Sequence, residues 1–307
     1  MQDTAEPTPQ SQELVARAKE DFSARTDVGI KRKLNEDSYF AGVADMNSQI
    51  FLAKEQKTKG WRVSSSLIKM AENIFKSGVR GLFIVADGAG GHAAGEVASQ
   101  EAIRFAVSEL AQTQGWDKLN PDQILAAISK AVDKTNNWVY KIGTKLKTEL
   151  VTTFTMALVV RDELYLAHLG DSRCYRYQSE TDRLEQLTKD HSLVQGLIDY
   201  GNIRAEERYD HTHRNVLTQS LGNSLNIKPD LRGPIPFKGK IRLLLCSDGL
   251  WEMLRGDIRI KKILAKNKAS HELTEELIEA ANLAGGSDNI TAIVADLEPI
   301  KSSNLGS

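Results

Sequence analysis

The sequence predicts an α+β fold in which antiparallel sheets are covered by helices. Short apolar runs typical of strands alternate with a few amphipathic segments typical of helices. The runs are nearly continuous, which indicates strands buried on both faces, so helices should cover the sheets. Val160 and Leu164 flank the short segment Arg161-Asp162-Glu163, which predicts a hairpin and therefore antiparallel neighbours.

The individual elements follow from the same patterns. Six apolar runs predict strands at 82–86, 154–160, 163–169, 173–177, 241–246 and 290–295. Apolar residues at helical spacing predict helices that include 103–110, 124–131 and 277–284. The second helix should begin at Asn120-Pro121, where Asn120 is the cap residue and Pro121 lies in the first turn. The third helix should end at Gly285-Gly286.

Composition excludes several classes of protein. The chain has 307 residues with 40 basic and 41 acidic side chains, so it lacks the broad basic surface of a nucleic-acid-binding protein. Its longest apolar runs are too short to span a membrane. Because residues 21–298 contain no repeat, long linker or change in composition, we expect one domain there, with tails at 1–20 and 299–307.

The cysteines and the N-terminus favour the cytoplasm. Cys174 and Cys246 lie within apolar runs and lack metal-ligand or redox spacing, which indicates buried thiols in a reducing compartment. The segment Met1 to Glu20 carries acidic residues and no apolar core, unlike a signal peptide.

Acidic residues occupy the ends of the predicted strands. Asp87, Asp171 and Asp248 each follow an apolar run, Asp288 precedes the last run, and Asp37 is a plausible fifth member. An Asp-Gly pair after a strand is usually a hairpin turn. Here the pairs at 87–88 and 248–249 lead into helix-like stretches, which excludes a hairpin at both.

Carboxylates gathered in this way predict a cation site. Like charges at close range are costly unless a positive charge lies between them, and oxygen-only ligands favour Mg²⁺ or Mn²⁺ over zinc. A pair of such ions lowers the pKa of a bridging water and orients a phosphoryl group for in-line attack. Since glycine lets a main-chain carbonyl approach an ion, Gly88 is a further candidate ligand.

Other chemistries match the sequence less well. Residues 88–93 resemble a dinucleotide-binding fingerprint, but no strand ending in an acid follows at the required distance, and Asp87 would repel a pyrophosphate. Neither cysteine has an arginine six residues later, as a cysteinyl phosphatase would need. The nucleophile elbow of serine hydrolases is absent too.

Seven short motifs occur in an order that resembles a known family. They are Arg32-Lys33-Leu34-Asn35-Glu36-Asp37, Asp87-Gly88-Ala89-Gly90-Gly91-His92, Gly170-Asp171-Ser172-Arg173, Asp190-His191-Ser192, Leu217-Thr218-Gln219-Ser220-Leu221-Gly222, Ser247-Asp248-Gly249-Leu250-Trp251 and Ser287-Asp288-Asn289-Ile290-Thr291. Together they resemble the metal-dependent protein phosphatases of type 2C, bacterial members most of all. The resemblance spans residues 24–296 or so.

This resemblance implies a four-layer α-β-β-α sandwich of two antiparallel sheets flanked by helix pairs, with two Mn²⁺ or Mg²⁺ ions at one edge. The implied metal ligands are Asp37, Asp87, the Gly88 carbonyl, Asp248 and Asp288, with Glu36 acting through bound water and Asp171 sharing a weaker third ion with Asp248. Arg32 would hold the substrate phosphate, and metal-activated water would attack phosphorus without a covalent intermediate. The implied catalytic residues are Arg32, Asp37, Asp87 and Asp248.

The sequence departs from the family pattern at three places. Ala89 stands where some relatives have a histidine that protonates the leaving group, so the general acid is unassigned, with water or His92 as substitutes. Glu252 replaces a frequent aspartate near the third ion. The chain also has an insert at about 41–80, and a flap is expected at about 190–222. His92 and Asn289 are candidates for orienting the ligands.

The resemblance also implies partners. Phosphorylated proteins would be the substrates, and the enzyme would counter a Ser/Thr kinase as a cytoplasmic monomer that binds neither nucleic acid nor membrane. A different class of function stays open, namely a metal-binding pseudophosphatase that only recognises phosphoproteins. Retention of the metal carboxylates and Arg32 argues against it.

Overall fold

The computed structural model of the protein describes residues 21–45, 49–53, 64–89 and 93–300. The predicted tail at 1–20, His92 and all but two residues of the tail at 299–307 lie outside the described residues. None of the helices in the described ranges combines the length and the apolarity that a membrane span needs.

Two antiparallel sheets form the centre of the domain. In the described residues the strands are β1 (Asp21–Asp27), β2 (Asp37–Ala44), β3 (Ile50–Leu52), β4 (Val79–Ala89), β5 (Val151–Thr152), β6 (Phe154–Val160), β7 (Glu163–Leu169), β8 (Arg173–Gln178), β9 (Arg183–Gln186), β10 (Asp230–Pro236), β11 (Ile241–Cys246) and β12 (Ile290–Leu297). The first sheet has the order β1-β12-β11-β8-β9, and the second has the order β10-β7-β6-β4-β2-β3, with β5 paired to β4. The predicted hairpin is the β6–β7 pair.

Helices cover both outer faces of the sheets. The α-helices in the described ranges are α1 (Ser65–Lys76), α2 (Ala93–Leu110), α3 (Pro121–Leu146), α4 (Leu193–Asp199), α5 (Asp248–Leu254), α6 (Asp257–Leu264) and α7 (Ser270–Leu283). Apolar residues of α1, α2 and α3 pack on the second sheet, and those of α5, α6 and α7 pack on the first. The predicted four-layer sandwich is confirmed, with a third helix beside the expected pair in each outer layer.

The central strands show why the apolar runs are continuous. In β4, Leu82 and Ile84 pack in the core under the helices, whereas Phe83 and Val85 pack in the core between the two sheets. Since successive side chains point to opposite faces, a strand between two cores needs apolar residues at every position. The prediction of strands buried on both faces is confirmed.

Several elements differ from the sequence-based expectation. β4 continues to Ala89, so Asp87 lies within the strand and not after it. The edge strands β1 and β10 were not predicted, because their sequences alternate or include proline and lack an apolar run. Within the predicted insert at 41–80, α1 packs Leu67 and Ile74 into the core. The basic residues of the insert, Lys54, Lys57 and Lys59, lie outside the described residues.

Candidate active site

Four of the predicted carboxylates gather at one edge of the sandwich. Asp37 begins β2 and lies opposite Asp87 of β4 in the antiparallel register. Asp248 is the first residue of α5, directly after β11, and Asp288 shortly precedes β12. The two sheets therefore contribute two aspartates each. A cavity of about 240 Å³ opens beside them, and its lining includes Arg32, Glu36, Asp87, Asp171, Asp248 and Asp288.

Hydroxyl groups of the opposite sheet fix the position of Asp37. Its Oδ2 accepts hydrogen bonds from Ser247 Oγ and Thr291 Oγ1, both at 2.7 Å. Ser247 lies between β11 and α5, and Thr291 lies in β12, so a side chain of the second sheet is held by the first. The two motif segments that contain these hydroxyls were visible in the sequence, but their bonds to Asp37 were not.

The carboxylates strongly perturb one another. Burial raises the pKa of Asp37 to about 7, against the hydrogen bonds from Thr291 and Ser247. Burial, followed by the charge of Asp288, raises the pKa of Asp248 to about 6. The pKa of Asp87 is raised well above its usual range by burial and by the neighbouring carboxylates, beginning with Asp37. The cluster is therefore electrostatically unfavourable when it is ionised without a counter-charge.

The donor atoms fit a hard divalent cation. Asp37 Oδ1 and Asp248 Oδ1 are buried, and neither receives a hydrogen bond from the described residues. Buried carboxylate oxygens without donors are the atoms that Mg²⁺ or Mn²⁺ would coordinate. However, across the described ranges no three acidic, histidine or cysteine side chains already converge as a formed coordination sphere. Asp87 lies close enough to Asp248 for the two carboxyl groups to affect each other's pKa.

Glycines bring the start of α2 against this edge. A Cβ on Gly88 would lie 2.0 Å from the carbonyl oxygen of Gly95, and a Cβ on Gly95 would lie 2.7 Å from that of Gly88. The same Cβ on Gly95 would be 2.9 Å from Cδ of Glu36. Gly88 lines the cavity, and its amide donates a 3.2 Å hydrogen bond to the Glu36 carbonyl. Glycine at both positions lets the helix approach β4 and Glu36 closely.

Arg32 lies at the mouth of the cavity. Its Nη2 donates a 2.6 Å hydrogen bond to Asp288 Oδ2, and this bond is the largest cause of the raised pKa of the guanidinium. Nearly half of the side-chain surface stays exposed, so its other N–H groups are accessible to a ligand. Asn289 fixes the segment around it by donating from Nδ2 to the carbonyls of Val28 and Leu34.

Comparison with known proteins assigns the family. The sequence profile of the family described as Protein phosphatase 2C matches residues 73–284. The chain belongs to this family. The resemblance inferred from the seven motifs is thereby confirmed.

Relatives of this protein phosphatase 2C domain include bacterial enzymes. The serine/threonine phosphatase stp of Listeria welshimeri is 34% identical over 217 residues, which cover 70% of this chain and 84% of that protein. The crystal structure of the Mycobacterium tuberculosis serine/threonine phosphatase PstP has a TM-score of 0.69 at 33% identity, covering 91% of this chain and 99% of that chain. A structure of the PstP catalytic domain with two manganese ions has a TM-score of 0.64 at 32% identity, covering 90% and 97%.

A buried ion pair connects the flap to this 2C-family site. The backbone carbonyl of Asp171 accepts a 2.9 Å hydrogen bond from Trp251 Nε1, and the Arg173 guanidinium stacks 3.5 Å from the centre of the Trp251 ring. Arg173 also donates two hydrogen bonds, of 2.9 and 2.6 Å, to Asp190. Arg208, from the flap, adds a 3.1 Å bond to Asp190.

The charge state of Asp190 follows from these partners. Burial would raise its pKa, but the Arg173 charge and hydrogen bonds, with help from Arg208, lower it, so Asp190 remains an anion. The motifs contained Arg173 and Asp190, but nothing in their spacing revealed that they pair.

The flap also reaches the cavity directly. Asn215 and Leu217 contribute to its lining, and neither was singled out as a site residue from the sequence. Arg214 lies 3.5 Å from Glu252, the residue that departs from the family pattern. Burial, followed by the charge of Asp248, raises the pKa of Glu252 to about 7, and Arg214 partly offsets this. The flap thus supplies one positive charge to the edge of the acidic cluster.

Proposed function

We propose that this protein is a metal-dependent phosphatase that hydrolyses phosphoserine and phosphothreonine in proteins. The observation that carries the proposal is the opposed pair Asp37 and Asp87, joined from the other sheet by Asp248 and Asp288, with Arg32 at the mouth of the same cavity. The names of its relatives support this reaction and these substrates.

The proposed ligands of two divalent ions are oxygen atoms only. They are Asp37, Asp87, the Gly88 carbonyl, Asp248 and Asp288, with Glu36 acting through water. Asp171, with Asp248, would hold a weaker third ion. The ions would supply a nucleophilic water at neutral pH and neutralise the charge of the phosphoryl group. The manganese in a PstP structure supports Mn²⁺ as one suitable ion.

The protein's own groups bind and orient the substrate. The Arg32 guanidinium presents several N–H donors in a plane, a geometry that matches two phosphate oxygens. Its bond to Asp288 holds it beside the carboxylates, so a phosphate bound there lies next to the acidic cluster. The Asn289 amide holds the segment that carries Arg32 in place while Arg32 binds the phosphate.

The cysteines support a mechanism without a covalent thiol intermediate. Cys174 and Cys246 are both buried and free. Burial raises the pKa of Cys174 to about 12 and also raises that of Cys246. Thiols in this state are poor nucleophiles, because the thiolate is the reactive form. Attack by water on phosphorus remains the favoured route.

The cellular setting is proposed from the same reasoning. The substrates would be phosphoproteins modified by a Ser/Thr kinase, and the protein would act as a monomer in the cytoplasm. The buried reduced cysteines are compatible with that compartment.

The decisive experiment measures hydrolysis of a phosphothreonine peptide and of p-nitrophenyl phosphate with added Mn²⁺. We expect turnover that EDTA abolishes and that Asp87→Asn lowers by several orders of magnitude. Asp133→Asn, on the exposed face of α3, is the matched control and should retain full activity. Undiminished turnover by the Asp87 variant would contradict the metal assignment. Phosphopeptide binding with no more turnover than an Asp248→Asn variant would favour a pseudophosphatase.

A further inference from the structure

The loop between β1 and β2 combines apolar and basic side chains in an exposed position. Residues 28–34 form what we call the Arg32 loop. Within it, the relative exposure of Val28 is 37%, that of Ile30 is 67% and that of Leu34 is 51%. Lys31 and Lys33 are also exposed. Solitary exposed apolar residues are common, but three within seven positions beside a ligand cavity are typical of an interaction surface.

This exposure is not the result of a loosely held backbone. Asn289 Nδ2 donates to the Val28 carbonyl at 3.0 Å and to the Leu34 carbonyl at 2.9 Å, so one amide group brings the two ends of the loop together. The Ile30 amide donates a 2.8 Å hydrogen bond to the Gly286 carbonyl. The backbone that carries the apolar side chains is therefore held in place by hydrogen bonds, so a ligand that covers these side chains loses little conformational entropy of the loop.

The position of Arg32 decides what can cover the loop. Arg32 lies between Ile30 and Leu34 in the chain, lines the cavity and contacts Asp288. A phosphorylated residue held by Arg32 would place its neighbours in the substrate chain over the Arg32 loop. Lys31, Arg32 and Lys33 are three consecutive cations, which complement the negative charge of a phosphorylated segment.

We propose that the Arg32 loop is a specificity surface that selects phosphorylated residues with a large apolar side chain close by in the sequence. Val28, Ile30 and Leu34 would cover that side chain, while Arg32 holds the phosphate. This inference rests on the proposed phosphatase function and names the substrate class of the same site. The specificity comes from the fixed apolar residues and the phosphate affinity from Arg32.

The test compares two phosphothreonine peptides that differ only in their neighbouring residues, one with leucines and one with serines. The unmodified protein and an Ile30→Ser/Leu34→Ser double variant are assayed with Mn²⁺, alongside p-nitrophenyl phosphate as a substrate without neighbours. Leu146→Ser is the matched control, because Leu146 is 56% exposed at the end of α3 and does not belong to the loop. Values of kcat and KM are determined separately for each substrate.

We expect the double variant to lower kcat/KM for the leucine peptide about tenfold, mainly through KM, because two half-covered aliphatic side chains are lost. The serine peptide and p-nitrophenyl phosphate should be hydrolysed at unchanged rates, and Leu146→Ser should behave like the unmodified protein. If the double variant prefers the leucine peptide over the serine peptide as strongly as the unmodified protein does, and still hydrolyses p-nitrophenyl phosphate, this inference is wrong while the proposed function stands. Absence of metal-dependent hydrolysis of every substrate by the unmodified protein would overturn the proposed function, and this inference with it.

Discussion

Asp37 serves the proposed metal site at a cost to the stability of the metal-free fold. It is buried, and its pKa is raised to about 7 by that burial and by the nearby carboxylates, although two hydroxyl groups partly stabilise the anion. An acid with a raised pKa in the folded state stabilises the fold least at high pH. The contribution of Asp37 to the stability of the metal-free protein should therefore fall as the pH rises from about 4 to about 7.

We predict that Asp37→Asn stabilises the metal-free protein at pH 8 by about 2 to 4 kcal/mol, because asparagine carries no charge to bury. Urea unfolding in EDTA measures this difference, and the gain should shrink as the pH is lowered towards 4. Asp133→Asn removes an exposed charge from α3 and should change the free energy of unfolding by no more than about 0.5 kcal/mol. A less stable Asp37 variant at pH 8 would show that the carboxylate is not a source of strain.

His168 gives the opposite dependence on pH. Burial, with the nearby His191, lowers its pKa to about 4, and its Nε2 lies 3.0 Å from the Lys189 carbonyl. The unfolded chain binds a proton at this position near pH 6.5, whereas the folded chain does not until about pH 4. This contribution to stability is complete above pH 6.5 and is lost as the pH falls towards 4.

We predict that His168→Gln removes this acid sensitivity. Between pH 7 and pH 5 the stability advantage of the unmodified protein over the variant should shrink by about 2 kcal/mol. Urea unfolding of both proteins at the two pH values measures it, and the carboxylate contributions that the two share cancel in the difference. A constant difference between pH 7 and pH 5 would show that His168 takes up its proton equally well in the folded state.

At the scale of elements, the start of α2 shows how packing overrides helix propensity. Gly95 lies in the first turn of the helix, where alanine would normally be favoured. Its Cα faces the Gly88 carbonyl and Glu36, so a methyl group has no room there. Gly196 in α4 is the useful contrast, because no atom lies within 4 Å of a Cβ added at that position.

We predict that Gly95→Ala destabilises the protein by about 1 to 3 kcal/mol and lowers phosphatase activity, since the helix must move away from β4 and Glu36. Gly196→Ala should instead stabilise the fold by up to about 1 kcal/mol and leave the hydrolysis of p-nitrophenyl phosphate unchanged. Thermal unfolding and the same activity assay test both variants. Equal effects of the two substitutions would contradict the close approach of α2 to the site.

At the scale of the whole molecule, the acidic cluster joins the two sheets. Asp37 and Asp87 belong to the second sheet, whereas Asp248 and Asp288 flank strands of the first. The only charge-neutralising group that the described residues place in direct contact with Asp288 is Arg32. The two divalent ions proposed to bind among the four aspartates would therefore hold both sheets and relieve the repulsion between the carboxylates.

We predict that Mn²⁺ raises the unfolding temperature in a concentration-dependent manner, with about 2.7 kcal/mol gained at one hundred times the dissociation constant. Amide exchange should slow in both β4 and β11, because the ligands of the proposed ions come from both sheets. Asp288→Asn should lose most of this effect, while Asp133→Asn should keep it. Stabilisation by Mn²⁺ that survives in the Asp288 variant would place the ion elsewhere.

The sequence predicted most of the central strands, but it missed the edge strands and also β2, which is buried at every residue but whose apolar residues are interrupted by Ser38 and Gly42. The runs that form β4, β6, β7, β11 and β12 are recognisable because both faces of these strands are buried. Edge strands such as β1 lack this signal, since one side of an edge has no partner and polar residues are tolerated.

The same contrast holds for the site. Its aspartates were predicted from their positions next to apolar runs. The Asp37 to Asp87 register and the hydroxyl groups that hold Asp37 were not predicted, because they depend on contacts between distant parts of the chain. The pairing of Arg173 with Asp190 was missed for the same reason.

The pairing of β1 with β12 has a consequence for biosynthesis. All seven residues of β1, from Asp21 to Asp27, find their partners in β12, between Ile290 and Asp296. A ribosome therefore releases the first strand long before its neighbour exists. Thr291, which holds Asp37, is made equally late. The nascent chain must accordingly carry its acidic residues in an unfinished sheet, and it can assemble the acidic edge only when translation of β12 is complete.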